Sequence, residues 1–142
     1  MSILEHFFRK RGKIESRGIL LSCLWWFTKR GQEEISLPQI LDSVQSLQRT
    51  LPLGYEFSRD VLYSRKLFED IGQLEENGYI RRYEYFHDGL LPKGYVALTV
   101  LGRGRGEQTS HQLDEPTRSL VSEAVEKSIA QHKDYWRLYP RI

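Results

Sequence analysis

The feature that most constrains this chain is a change of hydrophobic period near its middle. Tyr63, Leu67, Ile71 and Leu74 recur at helical spacing, with Phe68 widening the stripe, and the run closes on Asn77 and Gly78. From Tyr79 the spacing drops to two. Tyr79 to Phe86 is rich in aromatics, and Val96, Leu98 and Val100 alternate with Tyr95, Ala97 and Thr99. A stripe of period 3.6 lays one helix face on a core, whereas period two pleats a half-buried strand, so a helix must lead directly into a hairpin here. The third helix is expected from about Asp60 or Ser64 to Asn77, and the hairpin carries a long tip across His87 to Gly94.

Earlier segments supply more helices. Leu20, Leu21, Leu24, Trp25 and Phe27 sit in a stretch from Gly18 to Lys29 with few polar residues, which predicts a largely buried helix stopped at Gly31. Glu33 to Leu37 is long enough for a small strand. Ser36 followed three residues later by Gln39 is a capping-box pattern, with Pro38 tolerated in the first turn, and it opens a helix carrying Ile40, Leu41, Val44 and Leu47 inward. Arg49 to Ser58, with Pro52 and Gly54, reads as a loop. Ile3, Leu4, Phe7 and Phe8 suggest a short amphipathic helix ahead of the basic knot Arg9, Lys10, Arg11 and Lys13.

After the hairpin, Gly102 to Gly106 is expected to break regular structure and Glu107 to Asp114 to form a polar linker. Pro116 then opens a last helix whose stripe is Leu120, Val121, Ala124, Val125 and Ile129, running to about Lys133. The end places Tyr135, Trp136 and Tyr139 close together. Three segments result: a helix and basic arm over 1–17, a central domain over 18–106, and a linker, helix and aromatic tail over 107–142. The fold class expected is α+β, mainly α.

With 142 residues there is material for one domain's core, and 39% hydrophobic residues suffice to build it. The net charge of +2 is too small to announce nucleic acid. Its distribution is uneven. Residues 1–31 hold seven basic and two acidic groups, 32–78 four and nine, 79–106 five and two, and 107–142 five and six. Such blocks read equally well as differing solvated faces.

Cys23 is the single cysteine and lies in an apolar helix, so it reads as a small buried hydrophobe; no internal disulfide or zinc ribbon can form. His6, His87, His111 and His132 are scattered without ligand spacing, so no metal or other cofactor is expected. The apolar run Ile19 to Phe27 is far short of the roughly 20 residues that span a bilayer. Glu5 and the basic knot do not fit a signal peptide, which makes a cytoplasmic protein the expectation. GRGRG lacks the spacing and following length of a dinucleotide fold, and no nucleophile, base and acid set stands out, so an enzyme is not expected.

The order helix, short strand, helix, helix, hairpin is that of a winged helix-turn-helix domain. The segments LFEDIGQLEENGYIRRYEYF and GYVALTVLGRGRGE resemble the third helix and wing strands of PadR-like and MarR-like winged-helix proteins, and YEFSRDVLYSRKLFEDIGQL is similar to the YwgA-like winged-helix group. The resemblance covers roughly 18–106 and implies a winged helix-turn-helix with additional N- and C-terminal helices, acting as a DNA-binding transcriptional regulator. Carried over by position, it implies DNA contacts from Arg59, Ser64, Arg65 and Lys66 on the third helix. Arg81, Arg82, His87 and Lys93 would act on the wing with Arg103 and Arg105 beside them, and Arg9, Lys10, Arg11 and Lys13 would form an arm along the backbone.

Two readings stay open. Glu69, Asp70, Glu75 and Glu76 in the third helix repel phosphate, although Glu69 and Asp70 can pair with Arg65, Lys66 or Gln73 within the helix. Leu90, Leu91 and Pro92 make the wing tip apolar, which suits a protein partner there or at the aromatic tail, in an adaptor that binds no DNA. The stripe Leu120, Val121, Ala124, Val125 and Ile129 is expected to pair two copies as a homodimer, or alternatively to cap the chain's own core.

Overall fold

The computed structural model describes residues 15–57, 64–85 and 93–132, apart from the side chains of residues 85 and 93. These residues form an α+β structure, mainly helical, with five helices and a three-stranded antiparallel sheet. The elements are α1 (Ser16–Lys29), β1 (Ile35–Ser36), α2 (Leu37–Gln48), α3 (Arg65–Glu76), β2 (Ile80–Tyr85), β3 (Lys93–Leu98), α4 (Val100–Gln112) and α5 (Glu115–Gln131).

Helix α1 is the centre of the molecule. Ile19, Leu20, Leu21, Cys23, Leu24 and Phe27 are all buried, which leaves no broad solvent face and explains why polar residues are scarce in this segment. Gly31, at φ +95°, ends the helix, because the left-handed turn there strains any residue with a Cβ. Ser36 then serves two elements at once. It closes the two-residue strand β1 and caps α2, its hydroxyl accepting from the Gln39 amide at 3.3 Å while the Gln39 side chain accepts from the Ser36 amide at 3.1 Å.

The chain leaves α3 as the sequence suggests. Gly78 at φ +78° lets its amide donate to the Glu75 carbonyl and the Tyr79 amide to the Leu74 carbonyl, each at 3.0 Å, and Ile80 turns into the core. Strand order is β1-β3-β2, with Ile35 opposite Val96 and Ile80 opposite Leu98, so the apolar pairs lie on the face that meets the helices.

Beyond the hairpin three expectations are overturned. The GRGRG run does not break the chain; it lies inside α4, which continues through Gln112 and so replaces both the flexible exit and the polar linker. Thr99 starts this helix, its hydroxyl accepting from the Gly102 amide at 3.0 Å and donating to the Gly78 carbonyl at 2.6 Å. The glycines are there for contact. A Cβ on Gly102 would stand 1.8 Å from the Tyr79 carbonyl oxygen, and one on Gly106 2.9 Å from the Trp25 Cβ. One turn further on, the Ser110 and Ser22 hydroxyls share a hydrogen bond at 2.6 Å. Small residues every four positions therefore bring α4 close against α1, and this contact outweighs the low helix propensity of glycine.

Because β3 ends at Leu98 and Thr99 caps α4, Val100 points outward, 87% exposed, rather than continuing the strand's inward alternation. The stripe of α5 is also used differently from the dimer expectation. Val121 and Val125 are fully buried, Ala124 is nearly so, and Leu120 and Ile129 pack against the same cluster that contains Leu24, Ile40 and Val44. That face is filled by the chain's own α1 and α2, so it cannot also receive a second copy. The 106/107 division accordingly falls inside a helix, and the 17/18 division falls inside α1.

Candidate nucleic-acid interface

The surface to be judged is formed by the first turns of α3 and by the hairpin beside it. Ser64 begins α3 by accepting from the Leu67 amide at 3.4 Å, and the residue is 1% exposed. Its hydroxyl is used up as a cap, which corrects its assignment as a DNA contact. Arg65 is different. Its side chain is 85% exposed, and its only carboxylate neighbour among the described residues is Glu69, one turn on, at 3.1 Å. Exposed pairs of this kind are worth about 0.3–0.5 kcal/mol, so a phosphate can displace the glutamate easily.

Lys66 folds back from this surface. Its ammonium donates to the Leu53 carbonyl at 2.8 Å and lies 5.2 Å from the centre of the Tyr55 ring, which makes it a tie between α3 and the preceding loop. On the hairpin, Arg82 faces α3 and donates through Nε and Nη2 to Glu75 Oε1 at 3.0 and 2.7 Å. The guanidinium hydrogen bonds hold the Glu75 carboxyl below its ordinary range, and the same bonds raise Arg82. Arg81, one residue earlier and on the opposite face of the strand, is exposed and sits across from Ala97. On α4, Arg103 lies 3.6 Å from Glu33, and Arg105 donates to Gln108 at 3.2 Å.

Arg65 and Arg81 thus remain as the guanidiniums best placed to meet an outside anion. Lys93 opens β3 opposite Tyr85. Arg9, Lys10, Arg11, Lys13, Arg59 and His87 lie outside the described residues, as do Leu90, Leu91 and the tail aromatics.

Asp70 departs from the sequence expectation most sharply. Rather than pairing along the helix, it is buried at 7% exposure and its Oδ2 accepts from Ser16 Oγ at 2.8 Å and Tyr55 Oη at 2.6 Å. Burial, followed by the Asp70 hydrogen bond, raises the Tyr55 phenol well above its ordinary pKa, so it stays a neutral donor. Tyr55 is itself clamped: Gln48 accepts from its amide at 2.7 Å and donates to its carbonyl at 2.6 Å. One carboxylate therefore fixes α3 against α1 and the loop that leads away from α2. The signal was present, since position 70 is three residues after Leu67 and four before Leu74 and so falls on the buried stripe.

Other chemistry has little footing here. Burial pushes the Cys23 thiol up to about 12, so it is a neutral hydrophobe at pH 7. Among the described residues no three His, Cys, Asp or Glu side chains converge to hold a metal, and no helix is long and apolar enough to cross a membrane. The chain matches no protein-family model, no curated protein and no solved structure.

Proposed function

We propose that the chain is a winged helix-turn-helix protein that binds duplex DNA, with the first turns of α3 in the major groove and the hairpin on the flanking backbone. The observation that carries this reading is the combination of strand order β1-β3-β2, behind a helix α3 anchored from inside by Asp70, with Arg65 projecting 85% exposed from that helix's first turn. A helix presented by its N-terminal half is the usual way such domains reach base edges, and arginine is the side chain best shaped to grip guanine there. Arg81 supports the reading from the hairpin as a phosphate contact.

The glutamates set its limits. Glu69 and Glu75 hold Arg65 and Arg82 until phosphate replaces them, so binding is expected to be weak at physiological salt and to strengthen steeply as salt falls. Two copies arranged on successive major grooves would have to meet through a surface other than α5, whose apolar stripe is filled internally.

A second reading, a protein-binding adaptor, is favoured by one observation: Val100 and Leu101 are 87% and 60% exposed at the start of α4, beside the end of α3. Retardation of a labelled random-sequence duplex at low salt separates the two. A regulator retards it; an adaptor leaves it free at every protein concentration up to about 1 mM.

A further inference from the structure

A groove of about 380 Å³ lies between the start of α1, the end of α3 and the middle of α4. That size is in the range of small-molecule sites. Its floor is apolar, formed by Leu21, Leu74 and Tyr79, and Gly18 deepens it by presenting no side chain. The charges at the rim do not balance. Glu15 is met by Arg17 at 3.4 Å, and Arg17 also donates to Gln73. Arg105 lines the same groove with only the neutral Gln108 as a hydrogen-bond partner, and no carboxylate of the described residues lies within ion-pair distance of it.

An apolar floor with one surplus guanidinium selects a particular chemistry. A cation is repelled by Arg105, a neutral hydrocarbon leaves that guanidinium unused, and a dianion exceeds the single surplus charge. We propose that this groove binds a small monoanion with an apolar body, a carboxylate whose oxygens pair with Arg105 while its hydrocarbon part lies on Leu21, Leu74 and Tyr79. The planar guanidinium fork matches a carboxylate with two parallel hydrogen bonds, and the apolar body is drawn out of water by the floor. The site does not depend on DNA binding, because none of its residues belongs to the DNA-facing set.

Octanoate is a suitable probe, with octanamide as its uncharged counterpart. In a titration of the full chain without DNA, followed by amide chemical shifts, octanoate should move the signals of Gly18, Leu21, Asn77 and Thr109 saturably. Octanamide should bind about fivefold or more weaker, and so should octanoate to Arg105→Gln, which alters an exposed side chain and should leave the melting temperature unchanged. Lys127→Gln, on another face, should bind octanoate as the unsubstituted chain does. Equal affinity for octanoate and octanamide overturns the proposal, as does an unchanged affinity in Arg105→Gln. Shifts that fail to saturate by about 20 mM, or that scatter over the whole surface, overturn it too.

Discussion

Glu75 of α3 accepts two hydrogen bonds from the guanidinium of Arg82 on β2, at 3.0 and 2.7 Å, so the helix and the hairpin of the candidate interface are tied by one of the arginines the sequence assigns to DNA. The tie fixes the angle between two elements that must act together on a duplex. It also occupies a cation that phosphate would otherwise meet.

Replacing Glu75 by Gln should therefore separate stability from binding. Both side chains are substantially exposed, so the loss of folding stability at pH 7 should stay within about 1 kcal/mol by urea denaturation. Glu75 has a depressed pKa when folded, so its contribution is present above the ordinary carboxylate range, about 4.3, and is lost as pH falls through the lower folded value. The stability difference between the two proteins should be flat from about pH 6 to 8 and shrink in acid. DNA affinity should rise, because Arg82 is released.

The three glycines of GRGRG should respond in opposite directions. Gly104 has nothing within 4 Å of an added Cβ and sits mid-helix, so Gly104→Ala should stabilise by about 0.5–1 kcal/mol. Gly106→Ala meets the Trp25 Cβ and should cost about 1–3 kcal/mol. Gly102→Ala meets backbone, which cannot rotate away, and should be the most damaging of the three. Melting temperatures of the three variants, ranked 104 above 106 above 102, check this order.

What the sequence made legible was the chemistry that is local to a turn. Ser36 with Gln39, and Leu74 with Gly78 and Ile80, specify a helix start and a helix stop within a few residues, and both stand where they were read. The readings that failed depend on partners distant in sequence. Gly102 and Gly106 look like breakers until Tyr79 and Trp25 are placed beside them. The α5 stripe says that a face is buried but cannot say against what, and here α1 and α2 fill it. The same limit applies to the candidate site. Arg65 and Arg81 could be read as exposed from their positions, whereas Lys66 was drawn onto the Leu53 carbonyl and Asp70 onto Tyr55 by contacts across the loop.

The Tyr55 and Asp70 pair should be the costliest polar contact to remove. Tyr55→Phe leaves a buried carboxylate short of one donor and should cost about 2 kcal/mol in denaturant, with a coupling to Asp70→Asn of about 1 kcal/mol or more in a double-mutant cycle. The raised phenol pKa adds a pH signature. Tyr55 in the unfolded chain ionises near pH 10 while the folded one does not, so its contribution is full below that value and declines as pH rises beyond it. Tyr55→Phe should reduce the alkaline loss of stability by that share.

The proposal that the α3 and hairpin face binds duplex DNA is tested most directly by the salt dependence of affinity. Fluorescence anisotropy of a labelled duplex should give a linear fall of log Kobs against log salt for the unsubstituted chain. In the double variant Arg65→Ala, Arg81→Ala, affinity should drop and the slope should shrink by about 2, one for each lost phosphate contact. A slope and affinity unchanged by the double substitution would contradict the account, as would binding weaker than about 1 mM at 50 mM salt.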